Sequence, residues 1–249
     1  MTLVCVASSR GAPGATTLAA LLAWAWPDET PRYLLEAAPA GGVLAARWHE
    51  AAGLTWEPGI LELSANRQRL SEEVLAAHSQ PLTDLVSVAP ARPVGPQVEA
   101  ALANLGARGA EALSGPDCGI VIADLGRLVT ATSTLPLARA ATATCLVFRP
   151  QLEQVQAVLN TVSHLQSEGV EVVLVSVGGR PHSPVDVAER AGVNFVAQIP
   201  DDPRSARSFA QQGFAWRGLK RSPLGRAARA VAVQLGEHCA AAGRVGANA

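Results

Sequence analysis

Lysine is almost absent from this sequence of 249 residues. Of the 20 basic residues, Lys220 is the single lysine, and the others are arginines. The two side chains bind phosphate differently, because arginine offers a planar fork of donors and lysine a compact point charge. The shortage of lysine therefore bears directly on any phosphate site in this chain, because the two residues are not interchangeable there.

Cysteine and histidine are also sparse, and neither forms a metal-ligand pattern. The four cysteines have no Cys-x-x-Cys spacing, and the five histidines show no spacing that converges on a metal. A disulfide framework and a zinc site are both disfavoured. We expect the thiols to be reduced and buried as small apolar groups; they are Cys5, Cys118, Cys145 and Cys239.

Long apolar runs and a large net charge are missing too. No uninterrupted apolar stretch reaches the roughly 18 residues of a membrane span. The N-terminal residues MTLVCVAS lack the charged start of a signal peptide. The formal net charge of -1 excludes a protein that is strongly basic throughout. We therefore expect a soluble, cytoplasmic protein.

Short apolar segments alternate with segments of helical length. Hydrophobic residues make up 49% of the chain and charged residues 16%, which suits a sheet buried under helices on both faces. The alternation predicts an α/β fold with a doubly wound, mostly parallel sheet of about seven strands. The predicted strands are 3–7, 33–36, 85–88, 119–124, 144–148, 172–177 and 193–199.

The same pattern gives the domain organisation. Residues 1–239 are predicted to form a single domain, and residues 240–249 a flexible tail. The main predicted helices are 16–26, 97–113, 152–166 and 184–191. The region 56–81 departs from the alternation and is interpreted as a surface insertion with a polar helix at 64–77.

A glycine-rich loop follows the first predicted strand. Such a loop, placed before a helix, lets backbone N–H groups close around a phosphate. Its register resembles the deviant Walker A loop of the MinD/ParA family of P-loop ATPases, Lys-Gly-Gly-x-Gly-Lys-Thr-Thr. The resemblance implies a nucleotide-binding role for Arg10, Gly11, Ala12, Pro13, Gly14, Ala15, Thr16 and Thr17.

Two lysines of the family pattern are missing from this loop. The family's first lysine reaches across a dimer to the partner's nucleotide, and here it is Arg10, which keeps the charge. The second lysine contacts the β- and γ-phosphates, and here it is Ala15. The resemblance therefore implies an ATP–magnesium site that is weak or lost, and hydrolysis that is weak or absent.

The family's motifs also include acidic residues, which can be compared with this sequence. The segment after the second strand resembles the family's Asp-x-Asp switch I, with Glu36 at the first acid and Ala38 at the second. Asp124 ends a strand that resembles Walker B. The resemblance gives Thr16 and Asp124 a magnesium role and makes Asp124 the candidate catalytic residue. The alternative is that Asp124 merely caps a neighbouring loop.

The segment around Pro200 and Asp201 resembles the loop that lines the family's base pocket. Proline and aspartate are also ordinary turn residues, so this resemblance is less specific. The family's base-contacting asparagine after the sixth strand has no counterpart, because residues 176–180 read Ser-Val-Gly-Gly-Arg.

The C-terminal part carries a basic cluster. Members of the family use such surfaces to bind DNA nonspecifically, or use a terminal helix to bind a membrane. For this chain we expect membrane association less than DNA binding. The alternative is a solvated helix face whose apolar side, including Leu224 and Val231, packs on the sheet. The basic cluster consists of Arg204, Arg207, Arg217, Lys220, Arg221, Arg226 and Arg229.

Two functional hypotheses follow from the resemblance. The first is a degenerate MinD/ParA-like pseudo-ATPase, similar to the CpaE/TadZ branch, that positions or scaffolds pilus or secretion machinery as a homodimer with a protein partner. The second is a slow partitioning-type ATPase that binds DNA. A third, weaker hypothesis is an adaptor without nucleotide, in which Pro13 and Ala15 fill the phosphate cavity.

Overall fold

A computed structural model describes residues 2–107, 110–114, 119–128 and 132–246. These residues contain one eight-stranded sheet with the order β3-β4-β2-β5-β1-β6-β7-β8. The pair β3–β4 is antiparallel, and the other neighbouring strands are parallel. The strands are β1 (Thr2–Ser8), β2 (Arg32–Glu36), β3 (Gln80–Pro81), β4 (Val86–Ala89), β5 (Ile120–Arg127), β6 (Ala143–Phe148), β7 (Val172–Val177) and β8 (Val196–Ile199).

Helices cover both faces of the sheet. They are α1 (Ala15–Ala25), α2 (Leu44–Ala52), α3 (Ile60–Ala65), α4 (Glu72–Ala77), α5 (Gly95–Ala107), α6 (Leu135–Ala140), α7 (Leu152–Ser167), α8 (Pro184–Ala191), α9 (Pro203–Gln212) and α10 (Pro223–Gly246), with short 3-10 helices at Ala110–Ser114, Gly213–Ala215 and Leu219–Arg221. Buried residues of α1, α2, α9 and α10 share one hydrophobic cluster with the sheet. Those of α3 to α8 share the other.

Strand β1 lies at the centre of the sheet, and its apolar sequence fits that position. It pairs with β5 on one side and β6 on the other. Leu3 and Cys5 enter one hydrophobic cluster, and Val4 and Val6 enter the other. An unbroken apolar run is expected where a parallel strand is covered on both faces. The loop that follows β1 therefore begins in the middle of the carboxyl edge of the sheet.

The predicted α/β fold with a mostly parallel sheet is confirmed. Each of the seven predicted strands coincides with a strand of the structure. The strand that sequence reasoning missed is β3, which has two residues, Gln80 and Pro81, and pairs antiparallel with β4. A two-residue strand has no alternation to detect, and proline at a sheet edge gives no strand signal.

The interpretation of 56–81 as a surface insertion is wrong. Instead of one polar helix at 64–77, this region holds α3 and α4, and the side chains of Ile60, Leu63 and Leu75 are fully buried in the core. Helix α3 packs on α5. The exposed arginine and glutamate residues of the segment made it look polar, and its few apolar residues were too widely spaced to indicate a buried face.

The C-terminal helix α10 continues through Gly246, past the domain boundary predicted at residue 239. Residues 247–249 of the predicted tail lie outside the described residues. Leu224, Ala228, Val231 and Leu235 of α10 are buried, which confirms that its apolar side packs in the core. None of the helices among the described residues is both long and apolar enough to span a bilayer.

The described cysteines are buried free thiols, as the sequence indicates. Burial raises the pKa of the Cys5 and Cys145 thiols, and it raises the pKa of Cys239 to about 12. These groups therefore stay protonated and act as packing groups. The prediction for Cys118 lies outside the described residues.

Candidate functional site

The loop between β1 and α1 forms a cradle at the carboxyl edge of the sheet. Gly11 and Gly14 adopt φ of 69° and 112°, values that favour glycine. A Cβ built on Gly14 would meet no atom within 4 Å. Glycine is therefore favoured there by the positive φ and not by a lack of space for a side chain. The loop lines a cavity of about 280 Å³, which we call the phosphate-loop cavity. Its lining residues are Ser8, Gly11, Ala12, Pro13, Gly14, Ala15, Thr16, Thr17, Arg47, Gly126 and Arg127.

Backbone donors of α1 face this cavity. The first intrahelical hydrogen bond runs from the Leu18 N–H to the Gly14 carbonyl at 2.9 Å. The N–H groups of Ala15, Thr16 and Thr17 precede it, so they lack an acceptor within the helix. Together with the helix dipole they make an anion-binding position. Pro13 removes one donor from the loop, because proline has no N–H.

Asp124 lies beside this cradle on β5. It pairs in register with Val6 of β1, and its side chain is buried. The Gly126 N–H donates to Oδ1 at 3.0 Å, whereas Oδ2 is buried without a hydrogen-bond partner among the described residues. Burial raises the pKa of Asp124, and the Thr16 hydroxyl, the Gly126 N–H and the charge of Arg47 oppose that rise. The predicted pair of Thr16 and Asp124 is thus brought together.

These groups fit a nucleotide with magnesium only in part. The free Oδ2 of Asp124 and the nearby Thr16 hydroxyl are suited to a hydrated Mg²⁺ ion, and the α1 N–H groups are suited to phosphate. Ala15 is buried and offers no charge to the phosphates. In the described part of the chain, no three His, Cys, Asp or Glu side chains converge as a direct metal site.

Glu36 has a structural role that the sequence did not reveal. Its Oε1 accepts hydrogen bonds from the Val43 and Leu44 N–H groups at 2.5 and 2.9 Å, and its Oε2 accepts one from the Ala91 N–H at 2.9 Å. Burial raises the pKa of Glu36, the three N–H groups lower it, and Asp124 raises it. Glu36 therefore holds the start of α2 and the segment after β4 to the end of β2.

Ala38 is the residue that the sequence resemblance aligned with the second acid of switch I. Glycine at 126, with φ of 62°, approaches it so closely that a Cβ there would lie 2.7 Å from the Ala38 Cβ. The segment after β2 thus packs against the segment after Asp124. No carboxylate is available from residue 38 to orient a water near the cavity.

Arg47 and Arg127 are site residues that sequence reasoning missed. Arg47 lies in the first half of α2, and Arg127 ends β5 opposite Ser8 of β1. Both line the phosphate-loop cavity, and both side chains are exposed. The signal in the sequence was too weak, because neither arginine lies in the loop motif. Arg10 is also exposed, but it does not line this cavity.

A second cavity of about 200 Å³ adjoins the first, since both share residues of the loop. Pro200 and Asp201 line it, so the structure places the predicted base-pocket segment next to the phosphate loop. Arg149 Nη1 lies 2.6 Å from Asp201 Oδ2 across this cavity. On the neighbouring strand, Ser176 donates to the Gly178 carbonyl at 2.6 Å.

The basic cluster is exposed but partly balanced by other groups. Lys220 and Arg229 line a groove of about 580 Å³ together with Asp28, Glu29 and Asp84. The Arg229 guanidinium lies 4.7 Å from the ring centroid of Trp24. At least two of the seven cations therefore have acidic or aromatic neighbours that reduce their availability to a nucleic acid.

Comparisons with known proteins place the fold. No family model and no curated protein matches the chain. A ParA family ATPase from Chlorobium tepidum has a TM-score of 0.74 and 16% identity, covering 94% of this chain and 98% of that one. MinD in the MinC:MinD complex of Aquifex aeolicus has a TM-score of 0.71 and 15% identity, with 94% and 95% covered.

An ATP complex is also among the similar structures. McdA(D38A) from Cyanothece, solved with ATP, has a TM-score of 0.68 and 20% identity, covering 95% of this chain and 96% of that one. The chain thus has the fold of the ParA/MinD P-loop ATPases over nearly its whole length.

Proposed function

We propose that this chain is a positioning or scaffold protein of the ParA/MinD type whose nucleotide site serves assembly more than turnover. In this role it would be similar to the CpaE/TadZ branch, which localises pilus or secretion machinery. The observation that carries the proposal is a glycine-rich cradle in which two positions that the resemblance assigns to catalytic groups hold alanine. The cradle includes Gly11, Gly14 and Thr16, with Asp124 beside it, and the two alanines are Ala15 and Ala38.

The two losses act on different steps. A lysine at position 15 would stabilise both bound phosphate and the charge that develops during transfer. An acid at position 38 would act on the attacking water. The N–H groups at the start of α1 favour bound phosphate without either side chain. This combination supports binding with little hydrolysis.

The proposal includes a homodimer and a protein partner. Arg10 is exposed and has no hydrogen-bond or ion-pair partner in the described part of the chain, so its guanidinium is free to meet a phosphate of a facing subunit. The similar MinD structure is a complex with MinC, which supports a protein partner for a chain of this fold.

The first test is direct binding of ATP and ADP with magnesium by calorimetry, together with light scattering to measure the molar mass. We expect saturable ATP binding, a shift from monomer to dimer with ATP, and turnover at the limit of a phosphate-release assay. Rapid hydrolysis would contradict the pseudo-ATPase part of the proposal. Binding without any change in mass would contradict the nucleotide-dependent dimer.

The cellular role needs a separate test. A fluorescent fusion in the native host is expected to form discrete, positioned foci, and deletion of the gene is expected to displace the assembly that co-purifies with it. Uniform fluorescence over the whole cell, unchanged by the Arg10→Ala substitution, would count against a positioning role.

The slow partitioning-type ATPase remains the second candidate because of the exposed basic cluster. It would require hydrolysis that is abolished by Asp124→Ala and DNA affinity that falls steeply with salt. The adaptor without nucleotide has less support, because the phosphate-loop cavity persists beside Pro13 and Ala15 with a volume of about 280 Å³.

A further inference from the structure

The phosphate-loop cavity has positive side chains even though it has no lysine. Two arginines line it, Arg47 from α2 and Arg127 from the end of β5. We propose that Arg47 and Arg127 together bind the phosphate chain of a nucleotide and replace the charge that Ala15 cannot provide. This inference rests on the proposed nucleotide-binding function and assigns its phosphate contacts to residues outside the loop motif.

The position of Arg47 supports the first half of the assignment. It lines the same cavity as Thr16 and Thr17, and its charge acts on the buried Asp124 carboxyl. Its side chain is exposed and has neither a hydrogen bond nor an ion pair within the ranges that the structure describes. All of its guanidinium donors therefore remain available to a ligand.

Glu36 fixes where Arg47 lies. The Val43 and Leu44 N–H groups both bond to its Oε1, which anchors the first turn of α2. Gly42 passes so close that any Cβ there would overlap the Glu36 carboxylate. Arg47 follows one turn later, and its own N–H donates to the Val43 carbonyl at 3.0 Å. A buried carboxylate thus orients the helix that carries the arginine to the cavity.

Arg127 reaches the cavity from a different element. Its Cα pairs with Ser8, the residue at which β1 ends and the phosphate loop begins. The turn at Gly126 is tied to the Asp124 carboxylate through its N–H. Like Arg47, Arg127 is exposed and makes no ion pair in the described part of the molecule.

The arrangement of charges favours an anion. Two guanidinium groups that face one cavity repel each other unless an anion lies between them. The Asp124 carboxylate, on which the Arg47 charge acts, is buried and does not line the cavity, and none of the described lining residues is acidic. Arg149 is not an alternative, because it already pairs with Asp201. Guanidinium forks match phosphate oxygens, so a polyphosphate suits this cavity better than a single carboxylate.

The inference predicts that affinity increases with the number of phosphates. We would measure binding of ATP, ADP, AMP and inorganic tripolyphosphate by calorimetry, with magnesium, for the unmodified chain and for Arg47→Ala, Arg127→Ala and the double variant. Each single substitution is expected to weaken ATP binding about tenfold to a hundredfold, the range of one lost charge-assisted hydrogen bond. AMP binding should change far less.

Arg190→Ala is the matched control. Arg190 is exposed in the last turn of α8, which leads to the start of β8 at the opposite edge of the sheet. This variant removes the same side chain and should bind ATP as the unmodified chain does. Far-ultraviolet circular dichroism and urea unfolding of each variant check that folding is intact. Adding Ala15→Lys to the double variant should restore ATP affinity, which loss of folding could not explain.

Each outcome is decisive. ATP binding that is unaffected by either arginine substitution overturns the inference and leaves the nucleotide site standing. Arginine-dependent binding of tripolyphosphate without ATP binding supports the inference and contradicts the nucleotide part of the proposed function. No binding of either compound by the unmodified chain overturns both.

Discussion

Glu36 and Asp124 lie opposite each other in register on the parallel strands β2 and β5, and both carboxyls are buried. Their surroundings differ. Glu36 accepts three backbone N–H groups, whereas one oxygen of Asp124 is left without a partner among the residues described. The Glu36 carboxyl therefore holds backbone segments together, whereas the Asp124 carboxyl keeps one oxygen that can still accept a hydrogen bond.

Substitution of Glu36 is expected to destabilise the fold strongly. Glu36→Ala leaves three N–H groups without their acceptor, and each unsatisfied buried donor costs about 1–3 kcal/mol. We expect the free energy of unfolding to fall by roughly 3 kcal/mol or more. Equilibrium urea unfolding measures this change.

Glu36→Gln separates shape from charge in the same experiment. Its amide NH₂ would face a backbone donor, so we expect it to be destabilised as well. Glu99→Gln, on the exposed side of α5, is the control and should change stability by less than about 0.5 kcal/mol. A Glu36→Gln variant as stable as the unmodified chain would contradict the role assigned to Glu36.

Asp124→Asn is expected to stabilise the protein at neutral pH. Burial raises the folded-state pKa of Asp124 above its unfolded value, so the folded state holds the proton more tightly. Stability contributed by this group is complete below the unfolded pKa of about 4 and is lost as pH rises through the folded pKa. Asparagine removes that loss while its oxygen still accepts from the Gly126 N–H.

The measurement is urea unfolding of both proteins from pH 4 to pH 8. The stability difference in favour of Asp124→Asn should be near zero at the acid end and grow with pH. Glu36 is present in both proteins, but the Asp124 charge raises its pKa. Removing that charge lowers the pKa of Glu36, so it adds to the advantage of Asp124→Asn at neutral pH. A difference that is independent of pH would show that burial of Asp124 does not govern its titration.

The features that could be predicted from the sequence are those formed by residues that are continuous along the chain. The phosphate-loop motif is one run of eight residues, 10–17, just after an apolar strand, so the register of Gly11, Gly14 and Thr16 could be recognised directly. The seven strands that it predicted each carry several β-branched or apolar residues. Their alternation with helices determined the fold class.

Side chains that tertiary structure brings to the site could not be predicted in this way. Arg47 lies far along the chain from the loop and reaches the cavity because Glu36 anchors α2. Glu36 itself resembled the first acid of switch I, but its partners are backbone N–H groups from the start of α2 and from the segment after β4. Such contacts leave no periodic signal, since they depend on how loops pack after folding.

DNA binding is expected to be weak at physiological salt. The net charge is -1, and Lys220 and Arg229 share a groove with three carboxylates. Fluorescence anisotropy with a labelled 30-base-pair duplex should show binding at about 50 mM salt that disappears near 200 mM. Tight binding at the higher salt, lost in Arg204→Glu/Arg207→Glu, would instead favour the partitioning-type ATPase.

The resemblance to the MinD/ParA family assigns hydrolytic groups to positions 15 and 38, and we expect that they can be introduced in two separate steps. Ala15→Lys places an ammonium at the start of α1, where it lines the phosphate-loop cavity, and should raise ATP affinity about tenfold. Turnover should stay near the detection limit, because residue 38 is still alanine. Adding Ala38→Asp supplies the second switch I acid and should raise phosphate release above that limit. Ala100→Lys, on the exposed side of α5, controls for an added lysine. If Ala15→Lys alone hydrolysed ATP as fast as the double variant, position 38 would have no part in the chemistry, and the lysine alone would decide whether the chain hydrolyses ATP.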